Sequence, residues 1–461
     1  MGLKKRWTLV TGLMTFVIAF VLFLDHPVLL AMPDVERIVL PNQLVVLVSE
    51  DHSLPLVTMR LLVDAGSRRD PRGKEGLAHI TAEGLLLGTS TRSVTVFDET
   101  LDFMGASLHA SAGRDVAALE LRVLAKDLLK GFDLFLEALT EPTFPEKEIR
   151  RQIEKSLAAI QSQEDDPGQI ASKAFTKVLF LGNPYGHPVE GTRESLPHIT
   201  RDMVVQFHQD FFNPNNAILA IVGDVTVERV KANLVPRLSQ WSLAQISEQE
   251  FMPRFTQLPM TVTIDRNVTQ ANIILGHIGI DRANPDYYPL TVMNHILGGG
   301  GFGSRLMEKI RVKRGLAYSV VSYFDAGKYP GAFQVILQTK NSSAQEAISI
   351  LGGELRNIQS KAVSPKELER TKKYLIGSFP FRLDTQSKLA RFLTQVEYHG
   401  LGLDYPETYA ASINAVTRKD VLRVAQTYLY PKDAILVVVA NLQEAGLDES
   451  AQYLDLTRPT M

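Results

Sequence analysis

The stretch Gly76-Leu77-Ala78-His79-Ile80-Thr81-Ala82-Glu83-Gly84 has the spacing of a zinc-binding helix but lacks most of the expected ligands. In helices of the H-x-x-E-H type, two histidines one turn apart bind zinc, and the glutamate between them activates water. Here His79 stands alone, because Ala82 occupies the glutamate position and Glu83 the second histidine position. These residues therefore indicate a fold and argue against its usual chemistry.

Length and composition describe an ordinary globular protein of more than one domain. The chain has 461 residues, of which 45% are hydrophobic and 22% charged, and its net charge is −2. A chain of this length exceeds a single hydrophobic core. The near-balanced charge favours neither nucleic acid nor an anionic membrane as a partner. The chain has no cysteine, which excludes disulfides, thiolate zinc sites and a cysteine nucleophile.

The N-terminus predicts export. Lys4-Lys5-Arg6 precede an uncharged apolar run from Trp7 to Leu24. This order is typical of an export signal, in which the basic patch stays in the cytoplasm. The run is longer than the usual signal core of about 7–15 residues and lacks a good cleavage site, so we favour an uncleaved anchor over a removed signal peptide. The predicted location is periplasmic, with membrane contact through residues 7–24 alone.

An internal repeat predicts two domains built alike. Thr200 to Val222 aligns without a gap with Thr417 to Val439. In each copy a helix-like segment opens at the threonine and ends before a proline, and a short apolar run follows. The predicted divisions are a signal or anchor at 1–33, an N-terminal domain at 34–240, a linker at 241–258, a C-terminal domain at 259–445 and a tail at 446–461.

Local patterns predict an α+β unit in each half. Alternating or Val-rich runs predict strands, whereas apolar residues at helical spacing predict a long helix with one buried face. The predicted strands are Leu44–Val48, Leu56–Val63, Val116–Leu124, Ile273–Ile280 and Phe333–Leu337; the predicted helices lie around Ile149–Ile160 and Tyr288–Leu297.

The chain resembles the pitrilysin/insulinase family of inverted zinc peptidases, in its short two-domain form related to mitochondrial processing peptidase. Five blocks in the family order carry the resemblance: Gly76–Thr89, Gln163–Pro167, Asn183–Thr192, Gly298–Gly301 and Lys313–Ser319. The resemblance implies two tandem homologous domains, each a mostly antiparallel sheet packed with helices. Together they would form a bowl or half-chamber.

The same resemblance implies a third zinc ligand, a glutamate on a later helix. Anchoring on Glu164-Asp165-Asp166-Pro167 puts that position at Ala159. A catalytic zinc needs three protein ligands, and a methyl group cannot act as a general base. We therefore predict that the chain holds no zinc and does not hydrolyse peptides alone. Two interpretations of His79 and Glu83 stay open: a weak metal contact, or a partly buried histidine hydrogen-bonded to a carboxylate.

The second half retains a glycine run, Gly298-Gly299-Gly300-Gly301, followed by Phe302. Such a run can approach a ligand closely and present free N–H groups, which predicts substrate binding. It lacks the G-K-[ST] of a phosphate loop. The alternative is a flexible connector between packed elements.

Arg311 and Tyr318 match, by the resemblance, an arginine and a tyrosine that face the zinc site from the opposite domain. There they would hold the substrate carbonyl and the developing oxyanion. The alternative is a surface arginine and a tyrosine that only pack.

These features predict a non-catalytic, substrate-binding subunit of an exported heterodimeric zinc metallopeptidase. Arg311 and Tyr318 would complete the site of a homologous partner with an intact H-x-x-E-H motif, which would hold the zinc, and unfolded peptides would be the substrate. Two alternatives stay open: a structural or peptide-binding scaffold without any role in catalysis, and an atypical active zinc endopeptidase.

Overall fold

The computed structural model describes residues 34–246 and 259–447, which form two mixed β-sheets covered by helices. The first sheet has six strands and the second has five. Those of the first are β1 (Val35–Val39), β2 (Val45–Glu50), β3 (Leu56–Val63), β4 (Ser107–Ala112), β5 (Ala117–Leu124) and β6 (Ala217–Gly223). Those of the second are β7 (Met260–Asp265), β8 (Gln270–Ile278), β9 (Ala317–Ala326), β10 (Pro330–Lys340) and β11 (Ile435–Ala440).

The two sheets share one topology. The first has the order β1-β2-β6-β3-β5-β4, and the second has the order β7-β11-β8-β10-β9. In each sheet the last strand in the chain runs parallel to one neighbour, β2 or β7, and the other described pairings are antiparallel. Apart from β1, the second sheet therefore repeats the first strand by strand. The prediction of two tandem α+β domains is confirmed.

Helices cover both sheets, although their number between matching strands differs between the two halves. Those of the first domain are α1 (Leu77–Gly84), α2 (Val94–Met104), α3 (Leu128–Thr140), α4 (Glu146–Gln163), α5 (Pro167–Leu179), α6 (Arg201–Phe211), α7 (Val227–Asn233) and α8 (Val235–Leu238). Those of the second are α9 (Tyr287–Asn294), α10 (Ala344–Ser360), α11 (Pro365–Gly377), α12 (Gln386–Tyr398), α13 (Tyr405–Ala415), α14 (Arg418–Tyr428) and α15 (Leu442–Ala445).

The repeat seen in the sequence is the segment α6–β6 in one domain and α14–β11 in the other. Thr200 caps α6 by accepting a hydrogen bond from the N–H of Met203, and Thr417 caps α14 in the same way through Asp420. A threonine oxygen satisfies one of the free N–H groups at a helix start. The shared threonine therefore sets where both helices begin.

One helix of each domain packs on the sheet of the other domain. Helix α5 packs on β8 and β11 of the second sheet, where Phe175 and Val178 are buried beside Ile274 and Val437. Helix α12 packs reciprocally on β3 and β6 of the first sheet. Because burying apolar surface is the main favourable term in folding, each domain completes its core only in the presence of the other.

A buried ion cluster at the same boundary joins the domains electrostatically. Asp64 pairs with Arg68 within the first domain and with Lys328 of the second, at 2.7 Å for the lysine. Arg68 also lies 3.4 Å from the carboxylate of Asp115. The Arg68 side chain is only 3% exposed, so its charge depends on these carboxylates for compensation.

Individual element predictions agree with the structure to within a few residues, and β3 begins and ends where it was predicted. Trp241, the first residue of the predicted linker, is buried in the core of the first domain. The predicted signal or anchor at residues 1–33 lies outside the described residues, as do most of the linker and tail. Within the described ranges, none of the helices is long and apolar enough to span a bilayer.

Candidate functional site

Helix α1, which carries His79, is anchored at its start by a buried carboxylate. Asp70 accepts hydrogen bonds from the backbone N–H groups of Gly76 and Ala78, both at 2.8 Å. Gly76 has a φ of 99°, and a Cβ there would lie 2.9 Å from the carbonyl oxygen of Glu190. A side chain at Gly76 would therefore be strained as well as crowded. This explains why the block before His79 needs a glycine.

Asp70 predicts a pH dependence of stability. Burial raises the pKa of Asp70 to about 7, despite the two N–H groups that stabilise its charged form. Because the folded-state pKa exceeds the unfolded value of 3.8, Asp70 favours the folded state most at low pH, and this contribution is lost as pH rises through about 7. We expect the free energy of unfolding to fall by up to about 1.4 kcal/mol per pH unit between these values.

Urea unfolding of the native protein and the Asp70→Asn variant, from pH 4 to pH 8, tests this dependence. The variant should be less stable, because the Asn amide group cannot accept the second N–H bond. Its stability should also lack the Asp70 component of the slope. Equal slopes for the two proteins would contradict the assignment.

His79 lies on a half-buried face of α1 with a hydroxyl as its hydrogen-bonding neighbour. Its Nε2 is 3.5 Å from Oγ of Ser156 on α4. Burial lowers the pKa of His79, which the nearby carboxylates of Glu83 and Glu190 counteract. The described residues include no hydrogen bond between His79 and Glu83, so the hydrogen-bonded His–carboxylate pair is not formed in this structure.

The residues at the other positions assigned by the resemblance do not complete a ligand set around His79. Glu83, at the second ligand position, is near enough to counteract the lowered pKa of His79. Ala82, at the general-base position, is fully buried in the core of the first domain. Ala159 is exposed on α4, one turn away from the buried Ser156 that contacts His79. Ser156 was missed by the sequence reasoning, because spacing from a distant motif does not indicate which side of α4 faces α1. The assignment of the third ligand position to Ala159 stays a prediction.

The residues present do not fit a catalytic zinc. Among the described residues, no group of three His, Cys, Asp or Glu side chains is arranged to hold a metal ion. His79 contributes one imidazole, Glu83 a nearby carboxylate and Ser156 a neutral hydroxyl, whereas catalytic zinc takes three nitrogen, sulfur or carboxylate ligands. The donor set alone therefore argues against a resident metal at α1.

The glycine run of the second domain is a tightly packed connection between two π-helical turns. These turns are His295–Gly299 and Met307–Val312. A Cβ on Gly298 would come within 2.8 Å of the backbone nitrogen of Ser322 on β9. Close packing therefore explains Gly298 without any ligand. Gly301 has a φ of 54° and open space around it, and π-turns occur often at functional sites.

Arg311, Phe302 and Tyr318 come together beside this connection. The Arg311 guanidinium carbon lies 4.8 Å from the centre of the Phe302 ring and 5.3 Å from that of Tyr318. Both rings are largely solvent-exposed, at 69% for Phe302 and 73% for Tyr318. We call these three residues the arginine–aromatic cluster.

The arginine–aromatic cluster leaves its charge available. No carboxylate of the described residues forms an ion pair with Arg311, although most other arginines there have such a partner. The guanidinium lies within cation–π distance of both rings. Its N–H donors have no hydrogen-bond partner among the described residues and can bind an acceptor. The structure thus brings together three residues singled out in the sequence. No hydrogen bond or ion pair among the described residues links them to His79.

Comparison with known proteins identifies the family. Residues 45–193 match the model described as "Insulinase (Peptidase family M16)", and residues 198–375 match the model described as "Peptidase M16 inactive domain". The chain belongs to the pitrilysin/insulinase (M16) family. The two models together cover most of this M16 chain, and the second begins within the first domain, before α6.

Relatives that match over most of their length are named both as proteases and as non-peptidases. An uncharacterized zinc protease of Streptomyces coelicolor is 27% identical over 410 residues, covering 88% of this chain and 89% of that protein. A non-peptidase homolog of Helicobacter pylori is 26% identical over 397 residues, covering 86% and 91%. A protein named as a zinc protease and one named as a non-peptidase homolog are therefore almost equally identical in sequence to this M16 chain.

Solved structures agree with the fold. A crystal structure of a peptidase M16 inactive domain from Pseudomonas fluorescens superposes with a TM-score of 0.83 at 26% identity, covering 92% of this chain and 100% of that one. A protease from Helicobacter pylori superposes with a TM-score of 0.80 at 19% identity, covering 88% and 100%. The second likeness concerns the fold alone.

Proposed function

We propose that this chain is a non-catalytic, substrate-binding subunit of an exported heterodimeric zinc metallopeptidase. A homologous partner with an intact H-x-x-E-H motif holds the zinc, and this chain supplies Arg311 and Tyr318 to the partner's site. The observation that carries the proposal is the contrast between the halves. Helix α1 has one imidazole and one carboxylate, short of the three ligands of a catalytic zinc, whereas the second domain presents an unpaired arginine between exposed rings.

The chemistry of the arginine–aromatic cluster suits a carbonyl that becomes negatively charged. Arg311 offers several N–H donors and Tyr318 one O–H donor. Donors that are already in place when charge develops stabilise the transition state more than the ground state. The cluster has no nucleophile or general base and no metal-binding side chain, so by itself it binds and polarises a substrate without hydrolysing it. The partner's H-x-x-E-H site would supply the activated water.

Export and anchoring form part of the proposal. The basic Lys4-Lys5-Arg6 and the apolar residues 7–24 that follow support an inner-membrane anchor with the two domains in the periplasm. In the proposed assembly each subunit forms a bowl, and the two bowls enclose unfolded peptides. Residues 7–24 are the proposed membrane contact.

Reconstitution with the partner tests the proposed function. The purified chain should not cleave an unfolded peptide, and a homologous H-x-x-E-H chain from the same cell should cleave it slowly. Mixing the two should raise the rate and give a complex of one chain of each kind on size exclusion. Absence of both a complex and a rate increase would leave the scaffold alternative, and cleavage by this chain alone would favour the atypical peptidase.

A further inference from the structure

Two sequence blocks that have no role in the proposed function meet at one cavity of the first domain. Gln163 opens the block that leads into α5, and His187 lies in the turn that follows α5. Together with Lys173 and Ser172 of α5, they line a cavity of about 220 Å³. Asp166 caps α5 and so fixes where the helix starts relative to this cavity. A volume of this size admits a single side chain or chain end.

Lys173 is the available cation of this cavity. Its ammonium donates to Oε1 of Gln163 at 2.7 Å, and no carboxylate among the described residues lies within ion-pair distance. An ammonium has three N–H donors, so Gln163 orients the group without neutralising it. Arg114 lines the same cavity and has an ion pair with Asp325 at 3.0 Å through one nitrogen. The lining holds these two cations and one carboxylate, Glu190, and Lys173 is the cation that has no ion pair within the described part of the chain.

His187 lines the same cavity with a ring held by the backbone. Its Nδ1 lies 3.0 Å from the carbonyl oxygen of Pro188, to which it donates, and the backbone of Ser67 also interacts with the ring. Burial lowers the pKa of His187, so the ring is neutral near pH 7 and adds no charge to the cavity.

A larger cavity between the domains adjoins it. This second cavity, of about 480 Å³, shares Arg114, Ser172 and Thr176 with the smaller one. Glu190, the carboxylate in the lining of the smaller cavity, also interacts with His79, where it counteracts the lowering of the pKa by burial. A peptide held between the domains would therefore lie next to the lining that carries Lys173.

We propose that the smaller cavity binds a carboxylate of the substrate peptide, from an acidic side chain or from the peptide C-terminus. Lys173 and Arg114 are the cationic partners of this carboxylate, and Lys173 is the one without an ion pair among the described residues. This inference rests on the proposed function, since it names the class of peptide that the subunit retains.

Fluorescence anisotropy with three labelled, structureless peptides tests it. One ends in glutamate with a free carboxyl terminus, one is the same peptide amidated at its end, and the third has glutamine and an amide. Against the native chain, the Lys173→Gln variant should bind the acidic peptides about tenfold more weakly and the neutral peptide equally well. Added salt should reduce the acidic preference of the native chain. The amidated glutamate peptide separates a side-chain carboxylate from a terminal one.

A matched variant controls for the loss of a surface charge. Lys147→Gln makes the same change at an exposed position on α4 and should leave all affinities unchanged, and thermal unfolding should be the same for both variants. Equal affinity of the native chain for acidic and neutral peptides, or no effect of Lys173→Gln, overturns the inference while the proposed function stands. Failure of all three peptides to bind overturns peptide binding by this chain altogether.

Discussion

Replacing Arg311 by alanine in the reconstituted pair is expected to lower the rate of peptide cleavage by about 10²–10³-fold, the cost of removing one preorganised donor from an oxyanion site. Arg311 has no carboxylate partner among the described residues, so its removal breaks no ion pair within the chain. Tyr318→Phe keeps the ring that stacks on Arg311 at 5.3 Å and removes only the hydroxyl. We expect a smaller decrease for this variant, mainly in kcat.

Arg314→Ala is the matched control, since Arg314 is exposed on the turn that follows Arg311 and lies 3.8 Å from Glu346. It should have little effect on cleavage. Steady-state kinetics with the zinc subunit in excess separate kcat from KM, and size exclusion shows whether each variant still forms the complex. Native rates for Arg311→Ala in an intact complex would contradict a role for the arginine–aromatic cluster and favour the scaffold alternative.

Replacing Asp64 by alanine is expected to destabilise the protein by about 3–5 kcal/mol, the typical cost of breaking a buried ion pair from one side. Asp64 compensates Arg68 within its own domain and Lys328 across the boundary. Without Asp64, the nearly inaccessible guanidinium of Arg68 retains only Asp115, at 3.4 Å. The loss should affect both domains, because α5 and α12 make the two cores interdependent.

Urea unfolding followed by circular dichroism measures this loss. Asp384→Ala is the control, because the Asp384–Lys388 pair has a similar distance of 2.7 Å but is exposed, and exposed pairs contribute about 0–1 kcal/mol. We expect one cooperative transition at a much lower urea concentration for Asp64→Ala. A midpoint as high as that of Asp384→Ala would contradict a structural role for the inter-domain cluster.

The fold could be predicted from the sequence where local patterns determine it. The Val- and Leu-rich run at residues 56–63 predicted β3, and the shared threonine caps and prolines predicted the repeat of α6–β6 in α14–β11. The exchange of α5 and α12 between domains could not be predicted. The apolar face of α5, with Phe175 and Val178, has the same spacing whichever sheet it covers, so only the three-dimensional arrangement specifies its partner.

The sequence predicted the residues of the arginine–aromatic cluster but not the neighbour of His79. Arg311, Phe302 and Tyr318 were each singled out, and the structure brings them together because a packed glycine connection joins their elements. Ser156 was missed, since its contact with His79 depends on the rotation of α4 against α1. The π-turns beside the glycine run also escaped prediction, because they arise from a shift in backbone hydrogen bonding and have no compositional signature.

The most direct test of the claim that this subunit holds no zinc uses the purified chain alone. Its zinc content and its ability to cleave a peptide are both measured. The protein, purified without its partner and dialysed against zinc, is analysed by elemental mass spectrometry and incubated with an unfolded peptide, with and without a chelator. We predict far less than one zinc per chain and no chelator-sensitive cleavage. One tightly bound zinc per chain together with cleavage that the chelator abolishes would contradict the account.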